Sequence, residues 1–436
     1  MSNSKHGTFL TVTFFAGVAA GLLLPITGYS MPNFAREYGK QCSMCHTQVP
    51  QLNRKGYEFR AAGYRFPDEI GEDDTNLELK SFKPGDFAAA RLQSEISYKS
   101  HNPASGEDSS STTLEFKEVT LYPLTGSWGR YFASLGEFSM APDDVFETEN
   151  AYVRAVYGDI DGFFTGRLGI MHAWEGWGAS DRPIGLSRPL FQTQRATGSP
   201  FKLWSLDEFA AELGYYFART GTTVTARIGN GILWKEDGSG AGEPAQGGEL
   251  NKLTALPADD EKSYQLVVNQ FVRDDSGLTL YYYLTRVPSP NPFDADGNLL
   301  PGPFTEQRVE RFAAYGNFYV LPEKLNLLVG FGTGSDDLDD PIAGDLVGDS
   351  RGYFGEVDYF AIPQVLAAGL RYDTFDPQRD IDHNSQDAIT VFANYRPSTR
   401  GGLQFIGEYQ HKTTEAGALP GENDDDQFLL RIIFIY

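Results

Sequence analysis

The chain has 436 residues, 14% of them aromatic, with 47 glycines and only 2 cysteines. Its formal net charge of −23 argues against a nucleic-acid partner and allows cationic ones. Two cysteines exclude a disulfide framework, and 23 Tyr with 31 Phe favour strands and turns over helices.

In chain order, Lys5 and His6 precede an apolar run from Thr8 to Leu24, then Pro25 and small residues. Gly28-Tyr29-Ser30 fits the small-x-small cleavage rule, so residues 1–30 read as a signal peptide and Met31 as the first mature residue. The alternative, an uncleaved membrane anchor, is opposed by the helix-breaking Pro25 and the small residues after it. Beyond it, no apolar run reaches the ~18 residues that a transmembrane helix needs.

Residues 31–67 hold both cysteines, in Cys42-Ser43-Met44-Cys45-His46, the C-x-x-C-H pattern of c-type haem attachment. Two thiols three positions apart can each add to a vinyl group of one haem, and the next imidazole can reach its iron. A zinc site would need further thiolates or clustered His. A redox dithiol would need a βαβ context, which is also missing. The expected cofactor is one covalently bound haem c on Cys42 and Cys45, with His46 as axial ligand of the haem iron. The sixth ligand stays open among Met31, Met140, Met171, His101, His172, His383, His411 and none.

Val49, Leu52, Gly56, Phe59 and Gly63 recur at helical spacing, which predicts a short helix whose two glycines admit close approach of a flat surface. Phe34, Tyr38, Tyr64 and Phe66 are candidate walls for a haem. So short a segment cannot bury enough surface to fold alone, so it needs a host. Residues 68–86 read as a tether.

The host is predicted over residues 87–436 from period-2 alternation. In Leu278–Thr285 the even positions are Leu or Tyr and the odd ones Thr or Tyr; in Leu366–Asp373, Leu370 and Tyr372 alternate with Arg371 and Asp373. In Ala151–Tyr157 the odd positions are apolar and Arg154 points the other way. Candidate strands fall near 87–98, 112–122, 130–140, 148–158, 162–171, 207–218, 222–232 and 262–273. Others fall near 277–287, 307–319, 324–334, 351–360, 364–374, 386–396, 401–412 and 426–436. The connections alternate, short as in 158–161, 219–221, 274–276, 321–323 and 361–363, then mostly long as in 172–206, 233–261, 288–306 and 335–350. Short turns at one rim and long loops at the other describe an all-β fold, an outer-membrane antiparallel β-barrel of about sixteen strands. A soluble β-sandwich would also alternate, but it would not sort its loops by length.

Such a barrel is wide enough for an aqueous lumen. Residues 31–66 carry six basic residues (Arg36, Lys40, Arg54, Lys55, Arg60, Arg65) against Glu37 and Glu58, net +4. Two placements fit: a basic segment plugging an acidic barrel, or one hanging into the periplasm. Acidic clusters at Asp143–Asp144, at Asp336, Asp337, Asp339 and Asp340, and at Glu422 and Asp424–Asp426 read as outer loops, either solvating or cation-binding.

Phe34-Ala35-Arg36, Cys42, Cys45, His46, Pro50, Leu52, Asn53, Gly56, Phe59 and Gly63-Tyr64, joined to a sixteen-stranded barrel, resemble the fused monohaem cytochrome c–porin family. These are the outer-membrane Fe(II)-oxidising cytochromes of iron-oxidising bacteria. The resemblance implies haem at Cys42 and Cys45, ligation by His46, and one-electron transfer from extracellular Fe(II) to a periplasmic cytochrome or other carrier. It implies an oxidoreductase set in outer-membrane lipid with its long loops outside the cell. Electron export to an external acceptor and a solute porin with a haem-containing plug are the alternatives.

Overall fold

The computed structural model describes residues 33–72, 88–141, 147–172, 183–196, 207–230, 233–235, 243–245, 262–288, 306–340, 344–379, 381–399, 402–415 and 422–435. The expected signal peptide, Met31, most of the tether, and Asp143 and Asp144 lie outside these residues. Among them, no helix is long and apolar enough to cross a membrane.

The sheet is a closed antiparallel ring. Its long strands are β1 (Ala89–Asn102), β2 (Ser109–Tyr122), β3 (Phe132–Met140), β4 (Glu147–Asp159), β5 (Gly162–His172), β6 (Asp207–Phe217), β7 (Thr222–Gly229) and β8 (Ser263–Phe271). They continue with β9 (Gly277–Pro288), β10 (Glu306–Leu321), β11 (Leu325–Asp340), β12 (Gly344–Ile362), β13 (Leu366–Asp376), β14 (Gln386–Tyr395), β15 (Leu403–Glu415) and β16 (Glu422–Ile435). A three-residue splint, Gly126–Trp128, pairs with β3 beside β2. The ring closes where β16 pairs with β1, from Asp424↔Asn102 to Ile435↔Arg91, which removes every free edge.

The alternation read from sequence separates two faces. Leu280 is 47% exposed while Tyr281 is 1%; Leu370 is 53% exposed while Arg371 is fully buried. The outer face is a band of Leu, Val, Ile, Phe and Tyr, the surface a barrel presents to hydrocarbon. The inner face mixes buried aromatic and apolar side chains, such as Tyr281, Tyr315 and Phe354, with paired charges. Arg371 Nε donates to Asp373 (2.7 Å), and Arg167 and Arg227 converge on Glu212 (2.6 and 3.0 Å). Pairing of this kind is what makes buried charge tolerable.

Two expected loops are corrected. Residues 335–340 and 344–350 continue β11 and β12, paired to Asp340↔Gly344, so only 341–343 connect them. Asp336 is buried and ion-paired with Arg311 (2.9 Å); a partnered carboxylate sits in a ladder that its acidity had disguised. Glu422 and Asp424–Asp426 likewise belong to β16, where His101 and Lys412 bind Asp425 (2.6 and 3.0 Å) and His411 binds Asp426 (2.9 Å). Asp425 and Asp426 are therefore already engaged by cross-strand side chains, Lys412 among them.

Within the long β5–β6 connection, residues 183–196 turn into the lumen. The N–H groups of Leu186 and Ser187 donate to Glu408 (2.6 and 3.0 Å), and Leu190 N–H donates to Asp373 (3.2 Å). Phe191 then packs on the rings of Tyr315 and Phe354 (centroids 5.6 and 6.1 Å).

Candidate cofactor site

Residues 33–72 lie against the inner wall near the short turns. Helix α1 (Asn33–Tyr38) leads through exposed Gly39–Gln41 into a turn of 3-10 helix, Cys42–Met44, closed by Cys45 N–H on the Cys42 carbonyl (3.1 Å). His46–Gln48 then forms a small ladder with Gln51–Leu52. Helix α2 covers only Arg54–Ala61. Val49, Leu52 and Gly63, expected on its face, lie outside it, because Asn53 caps the helix: its Oδ1 accepts from Gly56 N–H (2.9 Å).

The same Asn53 ties the helix to the motif. Its N–H donates to the Cys45 carbonyl (2.9 Å) and its Nδ2 to the Met44 carbonyl (3.0 Å). Gly56 is required by that approach, since a Cβ there would stand 2.1 Å from Cys45 O. What comes close to Gly56 is thus the motif's own backbone, while Gly63 faces Ala133 and Val156 of the wall.

Cys42 and Cys45 are unbridged and partly buried. Burial, with Cys42 beside it, pushes the Cys45 thiol up to about 11, against the smaller opposing pull of Lys55. His46 Nδ1 lies 3.2 Å from both the Pro50 and the Gln51 carbonyl oxygens. Carbonyls only accept, so Nδ1 carries the proton and Nε2 keeps the lone pair that a metal needs. The side-chain amide of Gln48 and the Nε2 of Gln51 are buried without a hydrogen bond, as are many inward-facing polar atoms of the barrel, so they leave polar groups open to a bound partner. These residues fit a covalently attached haem.

Phe34, Tyr38, Phe59, Tyr64 and Phe66 form one aromatic cluster with Ala133 of β3; Phe34 stacks on Tyr64 at 4.9 Å. They pack chiefly on one another. Burial beside Glu69 and Glu37 raises the Tyr38 phenol.

The wall holds the segment at many points. Gln364 Nε2 donates to the His46 carbonyl (2.8 Å), and Arg396 Nη2 stands 3.9 Å from Cys42 Sγ. Arg54 donates to Ala218 O (2.6 Å) and its N–H to Asp274 O (2.7 Å). Arg65 donates to the carbonyls of Gly129, Arg130 and Phe132 (2.7, 2.8 and 2.6 Å). The basic residues Arg54 and Arg65 therefore meet wall carbonyls, a contact that net charge did not foretell. Residues 68–71, read as tether, are also packed: Gly71 N–H donates to Arg130 O (3.1 Å).

The sixth-ligand candidates within the described residues are not brought to His46. Met171 is buried with Tyr152 and Ala210, nine positions along β5 from its short-turn end. At ~3.3 Å per residue that is roughly 30 Å of strand. His101, His383 and His411 pair with Asp425, Glu415 and Asp426 toward the opposite rim, and Met140 and His172 close β3 and β5.

No protein-family profile and no curated protein matches the sequence. Among solved structures, the chain is similar to OprB of Pseudomonas putida at 9% identity and TM-score 0.51, over 84% of this chain and 99% of that one. It is also similar to OmpF of Salmonella typhi at 10% identity and TM-score 0.50, over 80% and 97%. At such identity the likeness is one of fold, that of a porin-like barrel.

Proposed function

We propose that the protein is an outer-membrane electron conduit, an oxidoreductase that takes electrons from extracellular Fe(II) and passes them to a periplasmic carrier. One haem c on Cys42 and Cys45, with His46 as axial ligand, would serve it. Bound there, the group supplies a one-electron iron couple that never leaves the protein.

The observation that carries this reading is the Nδ1 of His46 held by two carbonyls, directly after two unbridged thiols. The carbonyls orient the imidazole and fix its tautomer. Asn53 and Gly56 hold the motif against α2, and Gln364 and Arg396 hold it to the short turns. Exposed Gly39–Gln41 and Ser43 offer a carrier access at that rim. The apolar outer band and porin-like fold support residence in the outer membrane, with the longer connections outside. Oxidised iron is poorly soluble near neutral pH, so a cell gains by taking the electron and leaving the metal outside.

Anaerobic mixing of the purified, oxidised protein with Fe(II), followed by the haem bands, tests the reading. Prompt reduction is expected. Reduction by dithionite but not by Fe(II) would turn the reading to electron export. A solute porin is the second reading, favoured by the fold of the solved neighbours; a lumen that conducts ions freely with residues 33–72 in place would support it.

A further inference from the structure

Away from the cysteine segment, three side chains from three neighbouring strands converge. Glu137 (β3), Glu149 (β4) and His172 (β5) each offer a ligand atom within 4.8 Å of the other two. A β-bulge assembles them. The β3–β4 register passes from Glu137↔Asn150 to Phe138↔Thr148, so Glu149 is the additional residue, released from strict alternation. Bulges re-aim side chains in this way beside functional sites.

The surroundings hold the trio in place. Asn150 Nδ2 donates to Glu137 Oε2 (2.8 Å), while Asn150 Oδ1 accepts the His172 N–H (3.4 Å). Arg227 donates to the His172 carbonyl. Arg91 is bonded to Glu118 (2.8 Å) and also faces Glu137 and Glu149, so an ion here would share these carboxylates with that guanidinium. Glu137 is buried, while Glu149 and His172 stay partly open to solvent, a donor set that an ion could reach.

The geometry points to a divalent transition-metal site at Glu137, Glu149 and His172, at which Fe(II) is held while it is oxidised; its role as donor site rests on the electron-conduit reading. Two carboxylates with one imidazole suit Fe(II), Mn(II) or Zn(II) better than Ca(II), which prefers oxygen alone. Ligands about 2.1 Å from an ion lie roughly 3 to 3.5 Å apart, so the trio closes on a metal by small side-chain movements.

Packing joins this site to the cysteine segment. Met171, the residue before His172, is buried against Tyr152. Leu135 packs on that cluster and on the aromatic cluster of Phe59 and Tyr64. Tyr152 OH and Tyr64 OH are hydrogen-bonded at 2.8 Å. In the step proposed, Fe(II) held by Glu137, Glu149 and His172 would lose one electron and become Fe(III), and that electron would be taken up by the one-electron iron couple that Cys42, Cys45 and His46 would hold.

Equilibrium dialysis of the holoprotein against Co(II), with Fe(II) reduction followed in parallel, tests the site. One Co(II) per chain is expected, weakened at least tenfold in Glu149→Gln and in His172→Gln. In Glu149→Gln the Fe(II) concentration giving half-maximal haem reduction should rise at least tenfold, with dithionite reduction unchanged. Co(II) binding equal in wild type and variants would overturn the site, and so would equal half-saturation by Fe(II), which leaves the conduit reading standing. Weakened Co(II) binding in the variants, with no reduction by Fe(II) in wild type, would keep the metal site and overturn its role as donor site together with the conduit reading. Should the variants not fold, X-ray absorption of Co(II) on the wild type decides. A nitrogen in the first shell supports the site, and an all-oxygen shell overturns it.

Discussion

The hydroxyls of Tyr64 and Tyr152 lie 2.8 Å apart and buried, the first on the cysteine-bearing segment and the second on β4. This pair couples the docking of the segment to the wall. Tyr64→Phe should loosen the docked segment by about 1–2 kcal/mol, since the Tyr152 hydroxyl is left buried without that partner. Amide hydrogen exchange over residues 54–64 measures it, as protection falling by roughly tenfold while the barrel strands are unchanged.

Replacing both thiols separates the two parts of the molecule. Cys42→Ala with Cys45→Ala should abolish covalent haem and all redox activity and leave a heat-modifiable barrel, because the ring of strands does not use either side chain. Pyridine haemochrome assay with gel mobility reads both; haem retained through denaturation in the double variant would contradict the attachment.

Gly56→Ala is expected to act at a distance from the sulfurs. The new Cβ would stand 2.1 Å from Cys45 O, so α2 must back away from the motif. Overpacking of this kind costs about 1–3 kcal/mol. The expected result is lower haem incorporation with an unchanged barrel melting profile, read from the ratio of haem to protein.

Before haem is attached, Cys45 should be slow to alkylate. Its titration is raised from 9.0 to about 11, so the folded protein prefers the neutral thiol. The stability this confers is complete below about pH 9 and is lost as pH rises through about 11. At pH 8 only ~0.1% of such a thiol is thiolate. Iodoacetamide labelling of Cys45 should therefore accelerate about tenfold per pH unit up to about pH 11, and run far faster in guanidinium.

The strands were legible because lipid on one face and a lumen with paired charges on the other force a two-residue period, clearest in Leu278–Thr285 and Leu366–Asp373. The end of β11 was not, because Asp336 looks like a loop residue until Arg311 is brought opposite by the register of β10. The motif at Cys42, Cys45 and His46 was legible locally, whereas the carbonyls of Pro50 and Gln51 on His46 depend on a tight ladder that spacing does not reveal. Helical spacing overextended α2 for a related reason, since Asn53 as a cap outweighs the apolar period through Val49 and Leu52. Glu137, Glu149 and His172 were out of reach as a group. Only barrel register and one bulge bring residues so far apart in sequence together.

Sealed vesicles decide whether electrons cross a membrane through this chain. The holoprotein would be inserted in sealed liposomes enclosing an oxidised soluble c-type cytochrome, with Fe(II) added anaerobically outside. Reduction of the enclosed cytochrome, lost with Cys42→Ala and Cys45→Ala, is the predicted result. An enclosed cytochrome that stays oxidised while the protein itself is intact and haem-loaded would contradict it.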